Sequence, residues 1–202
     1  MATVFSHGAT HLLLGEDCNV LTDPYYPRNH RIKPDSLDLF VGWYDFLVRY
    51  GDLLLDQTQV DVTESFTGGI NEDLVFSGPD GVLFSTQARA GTIWTRVVRT
   101  SLGLVIHLIN LVGQDEIGWD AGKNDPAPQT GIRLRLAPVG DPPVLLWATP
   151  DADNGASRAL SGLAEGAGIQ SDALSAGQVH AVYDLPTVRT WALIFIDNSH
   201  LA

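Results

Sequence analysis

Ile93-Trp94-Thr95-Arg96-Val97-Val98 and Leu104-Val105-Ile106-His107-Leu108-Ile109-Asn110-Leu111 are two β-branched and aromatic runs separated by Ser101-Leu102-Gly103. Such runs flanking a short Gly-containing turn predict two adjacent β-strands. Ile106, Leu108 and Asn110 occupy one face of the second strand, and His107, Ile109 and Leu111 the other. The pattern leaves open which face is inner.

Outward from this pair the same texture continues. Val60 to Thr63, Leu74 to Phe76, Val82 to Ser85, Ile132 to Leu136, Val144 to Ala148, His180 to Leu185 and Thr190 to Ile196 are further short runs. Turn signals separate them, among them Gly68-Gly69, Pro79-Asp80-Gly81, Gly140-Asp141-Pro142-Pro143 and Asn154-Gly155. Many short strands without intervening helices predict a mainly β fold, an antiparallel β-sandwich. Trp94, Trp147 and Trp191 fall within strand runs and read as core, whereas Trp119 falls in a loop. Residues 162 to 178 are rich in Gly, Ala and Ser and read as a loop.

Upstream of residue 57 the pattern differs. The near-continuous apolar content of residues 2 to 14 predicts one or two strands covered on both faces. A long loop carrying Asp23-Pro24-Tyr25-Tyr26-Pro27 follows. Pro34 and Asp35 open a helix running to about Leu55, capped by Asp35 or Ser36. Leu37, Phe40, Val41, Tyr44, Leu47 and Val48 supply its apolar stripe. The chain is thus expected to comprise a strand-loop-helix piece, 1–56, and a β-sandwich, 57–202.

Composition narrows the functional classes. Twenty-four acidic residues against 12 basic ones give a net charge of −12 over 202 residues. A field of that sign repels phosphate backbones, so no nucleic-acid or anionic-membrane partner is expected. No apolar stretch approaches the roughly 20 residues of a membrane-spanning helix. Met1 to Val20 carry no Lys or Arg and only the short Leu12–Leu14 run, which is not the pattern of a signal peptide. Cys18 is the single cysteine, which excludes an internal disulfide and a thiolate metal cluster.

Few side-chain groupings carry chemistry. His7 and His11 stand four apart, but no carboxylate or cysteine at a fitting spacing completes a metal site, and none is expected. Asp151-Ala152-Asp153-Asn154-Gly155 resembles the start of a calcium loop, yet Gly155 stands where a ligand is needed, so a turn is the better reading. Cys18 lacks the accompanying motif of a nucleophile. Glu16 and Asp17 follow an apolar run, with Tyr25, Tyr26 and His30 beyond them. Carboxylates suit hydroxyl groups and flat aromatic faces suit sugar rings, so this loop is the candidate substrate contact.

Four collinear segments resemble glycoside hydrolase family 66, the dextranases and cycloisomaltooligosaccharide glucanotransferases. They are Gly8 to Glu16 with Asp23 to Pro27; Tyr44 to Tyr50 with Leu53 to Leu55; Ile93-Trp94 with Val105 to Leu111 and Trp119-Asp120; and Thr149 to Asp151 with Leu185-Pro186 and Trp191 to Phe195. The resemblance implies the last strand and helix of a (β/α)8 barrel followed by a Greek-key sandwich. It implies a secreted, retaining enzyme on α-1,6-glucan or isomaltooligosaccharide, without a cofactor. Its catalytic Asp and Glu belong to earlier barrel strands, so no catalytic residue is assigned here. His11, Glu16, Tyr25 and Tyr26 match the loop at the barrel's catalytic face and are the substrate-binding candidates. The expectation is therefore a C-terminal fragment, non-catalytic alone, whose orphaned barrel elements self-associate. The rival readings are a free-standing carbohydrate-binding or interaction module and a small hydrolase built on Glu16.

Overall fold

The computed structural model describes residues 1–10, 19–21, 29–118, 122–137, 142–164 and 180–200. The chain forms two compact units, Met1–Gln57 and Thr58–Ala202. No described helix is long and apolar enough to cross a membrane.

The first unit contains α1 (Ala2–Ser6), β1 (Asn19–Leu21), β2 (Asn29–Arg31), α2 (Pro34–Arg49) and α3 (Gly51–Leu54). The strand expected from residue 2 is instead the helix α1; its proposed continuation through Leu12–Leu14 lies outside the described residues. Thr3 and Val4 favour a strand locally, but tertiary packing overrides a weak propensity. Phe5 is fully buried, edge-on to Tyr44 at 5.2 Å and tilted against Trp43 at 6.4 Å. The stretch read as one long loop carries an antiparallel ribbon, with Asn19 paired to Arg31 and Leu21 to Asn29.

Helix α2 begins as its sequence dictates, with Pro34 in the first turn and Lys33 held extended ahead of it. Lys33, not Asp35 or Ser36, occupies the N-cap. Asp35 in the first turn and Arg49 in the last oppose the helix dipole favourably. The buried face also differs from the expected apolar stripe, of which Leu47 alone is buried. Trp43, Phe46 and Leu47 are buried, whereas Val41 and Val48 are exposed. Aromatic rings bury more area than valines, and they set the helix's rotation.

Every strand run read between Val60 and Ile196 contains a strand. The second unit comprises β3 (Val60–Asp61), α4 (Thr63–Phe66), β4 (Thr67–Gly68), β5 (Asn71–Glu72), β6 (Leu74–Ser77), β7 (Leu83–Ser85), β8 (Thr92–Arg99) and β9 (Gly103–Asn110). β10 (Arg133–Leu136), β11 (Leu145–Ala148), β12 (Arg158–Leu160), β13 (Leu163–Ala164), β14 (Ala181–Asp184) and β15 (Trp191–Asp197) follow. A seven-stranded sheet has the order β12-β11-β15-β9-β8-β3, with β7 also on β8. A four-stranded sheet has the order β13-β14-β10-β6. All pairings are antiparallel except β7 with β8. β13 falls at the start of the Gly/Ala/Ser-rich stretch read as loop.

The two sheets pack face to face over one core. Val97, Ile106, Ile194 and Trp147 form one cross-strand row of the larger sheet. Leu74, Leu134, Leu136, Ala181 and Tyr183 meet them from the smaller sheet. This answers the question about β9: Ile106 and Leu108 face the core between the sheets. Its other face is buried too, with Val105 fully buried and His107 stacked on Trp191 at 5.8 Å. Tyr183 donates its hydroxyl to the Pro143 carbonyl at 2.6 Å, and burial raises its pKa to about 12.

A charged pair braces the edge of the larger sheet. Arg96, largely buried, meets Asp61 at 3.0 Å, and the Thr63 hydroxyl donates to the same carboxylate at 2.6 Å. Burial alone would raise the Asp61 pKa, but the Thr63 hydroxyl and amide, with Arg96, hold it below its ordinary value. A depressed carboxylate pKa stabilises the fold above the unfolded-state pKa, and that contribution disappears as pH falls through the folded one. Asp61→Asn should therefore lose stability at neutral pH and show a shallower decline than the parent below about pH 4. Urea titrations between pH 2.5 and 6 (roughly the window spanning carboxylate protonation) check this; parallel acid limbs would refute it.

Candidate functional site

Residues 62–95 build a concave site at one edge of the sandwich. Gly68 and Gly69, both at positive φ, turn the chain from β4 into β5. A Cβ on Gly68 would lie 2.9 Å from Thr86 Cγ2, so only glycine lets this hairpin close on Thr86. Asn71 donates its side-chain amide to the Glu64 carbonyl, tying the hairpin to α4. The Trp94 indole donates to the Thr86 carbonyl at 3.3 Å, fixing the backbone of that residue. Phe76 and Phe84 stack at 5.6 Å with 25° between their planes.

Together these elements border an open cavity of about 430 Å³ lined by Thr67, Gly68, Gly69, Asn71, Glu72, Leu74, Val75, Phe76, Phe84, Ser85, Thr86 and Thr95. Thr95 is the lining residue with an unsatisfied hydroxyl. It is 2% exposed, on the core face of β8 between Ile93 and Val97, and its Oγ1 has no hydrogen-bond partner. Glu72 is the one acid among the described lining residues, 3.8 Å from Arg135. A single carboxylate does not provide the pair that retaining glycoside hydrolysis uses, roughly 5 Å apart.

The substrate-contact candidates from sequence, His11, Glu16, Tyr25 and Tyr26, lie outside the described residues, as do Cys18 and Trp119. His7, the other half of the weighed histidine pair, has Nδ1 2.7 Å from the Thr3 carbonyl within α1. Among the described residues no cluster of His, Cys, Asp and Glu has metal-binding geometry. Asp151 lies beside a turn at Asp153–Gly155, and its carboxylate accepts from the Thr190 and Trp191 amides. The sequence reading missed the cavity. Its one legible signal is Thr95, a hydroxyl at an inward position of an otherwise apolar alternation.

The chain matches the family model of Glycosyl hydrolase family 66 over residues 1–195. Two cycloisomaltooligosaccharide glucanotransferases of Niallia circulans are each 28% identical to it, over 204 and 201 residues. The alignments cover 100% and 98% of this chain but 19% of each relative, so the chain spans about a fifth of their length. A crystal structure of a Paenibacillus sp. cycloisomaltooligosaccharide glucanotransferase, complexed with cycloisomaltoheptaose, matches with a TM-score of 0.76 at 25% identity. That match covers 96% of this chain and 26% of the other.

Proposed function

Because this chain belongs to glycoside hydrolase family 66, we propose that it is the C-terminal part of an enzyme acting on α-1,6-linked glucan. In this reading residues 1–56 are the last β/α unit of a catalytic barrel, and 57–202 are a sandwich that braces it. The observation that carries the reading is a match running through both units yet spanning 19% of its relatives. Retaining chemistry needs two carboxylates flanking the scissile bond, and the rest of the barrel would supply them. His11, Glu16, Tyr25 and Tyr26 would then contact substrate in the assembled enzyme.

Purified chain is expected to release no reducing sugar from dextran above buffer. Turnover that disappears in Glu16→Gln would overturn the proposal and favour a small independent hydrolase. The exposed Leu39, Val41 and Val48 of α2 support self-association when the chain is studied alone. Light scattering tests that point, and a monodisperse monomer would count against it. The second reading, a free-standing sugar-binding module, is supported by the cavity at the sandwich edge.

A further inference from the structure

The Thr95 hydroxyl is buried without a partner at a cavity wall. Buried polar groups in folded proteins are almost always paired, so an unpaired one lining a cavity marks where a ligand atom or water completes the bonding. The volume, about 430 Å³, lies in the lower part of the roughly 300–1,000 Å³ range of small-molecule sites. Hydroxyl groups of Thr67, Ser85, Thr86 and Thr95, an amide and one carboxylate supply the polar lining. Among the described lining residues there is no Lys, Arg or His, and the nearby Arg135 is already paired with Glu72, so the lining suits a neutral ligand better than an anion. The stacked phenylalanine pair supplies a flat apolar wall.

We propose that this cavity binds one sugar ring of a neutral oligosaccharide. Ring hydroxyls pair with the Thr95 hydroxyl and with Asn71 and Glu72, and the C–H surface of the ring rests on the Phe76–Phe84 wall. Ile70, 96% exposed at the tip of the β4–β5 hairpin, flanks the adjoining ring. The site's polyol chemistry stands on the lining alone; the choice of an α-1,6-linked glucosyl ring rests on the proposed function.

The test is an amide-resolved NMR titration of the full chain with isomaltotriose and, separately, cellotriose. Shifts are expected at residues 67–72, 83–86 and 95 on adding isomaltotriose. Thr95→Val, nearly isosteric, should weaken binding about three- to tenfold by removing one hydrogen bond while leaving the rest of the spectrum in place. Asn71→Ala, a change at an exposed position, provides a second variant expected to act in the same direction. Absence of shifts at these amides up to about 50 mM of either sugar, well beyond millimolar affinity, would overturn the site. Undiminished binding in both variants would overturn it as well. Response to cellotriose but not isomaltotriose would uphold a sugar site and overturn its α-1,6 assignment. Dextran turnover by the chain alone would sink the proposed function without altering these titrations, so the two failures are distinguishable.

Discussion

Gly103→Ala is expected to cost about 3 kcal/mol or more, at the upper end for overpacking a core. An added Cβ would lie 2.0 Å from the Ile196 carbonyl oxygen and 2.9 Å from the Phe195 ring. The first of these is backbone in a central strand, so no side-chain rotation relieves it. Gly103 also closes the β8–β9 turn: the Thr100 hydroxyl accepts from the Gly103 amide at 3.2 Å and donates to its carbonyl at 3.0 Å. Gly42→Ala is the control, since no neighbour lies within 4 Å of the added Cβ and the site is mid-helix. It should stabilise by roughly 0.5–1 kcal/mol. Guanidinium unfolding of both variants checks the pair, and equal midpoints would show that the close approach is relieved at no cost.

Asn110→Ala is expected to cost roughly 3–5 kcal/mol, because several buried backbone groups lose partners together, each worth about 1–3 kcal/mol. The side chain is 2% exposed and donates to the Ala127 and Arg189 carbonyls, both at 2.8 Å. Its oxygen accepts from the Val112 amide at 3.0 Å. One residue therefore holds three chain segments at the end of β9. Asn110→Asp keeps the acceptor, loses the donated bonds to Ala127, Val188 and Arg189 and places charge beside their carbonyls, so it should be no milder. Equilibrium denaturation reads the effect; a loss below about 1 kcal/mol would mean that these segments are fixed elsewhere.

The strand content was legible because β-branched runs bounded by turn residues have few alternatives. The inner face of β9 was not legible, because every one of its residues is buried and the usual contrast between apolar and polar faces is missing. Helix α1 was misread for a related reason: Thr3 and Val4 carry a strand bias that Phe5, packed on two aromatic rings, overrides. The rotation of α2 turned on Trp43 and Phe46 outweighing Val41 and Val48, a comparison of area rather than of periodicity. The cavity offered a single cue, Thr95, and a lone inward hydroxyl in a strand does not by itself separate a cavity wall from a paired core threonine. His11, Glu16, Tyr25 and Tyr26 were singled out by resemblance and lie outside the described residues.

The position of β15 has a consequence for synthesis on the ribosome. It pairs with β9 on one side and β11 on the other, joining Trp191 to Ile109 and Asp197 to Gly103. The middle of the larger sheet is thus completed by residues separated by most of the unit's length. While the chain is still emerging, β9 and β11 each present an unpaired edge, open to neighbouring nascent chains. Closure waits until translation has passed Asp197, and long-range antiparallel pairing of this kind is slow. Yield in cells should therefore depend on chaperone supply during elongation more than on the equilibrium stability of the finished sandwich.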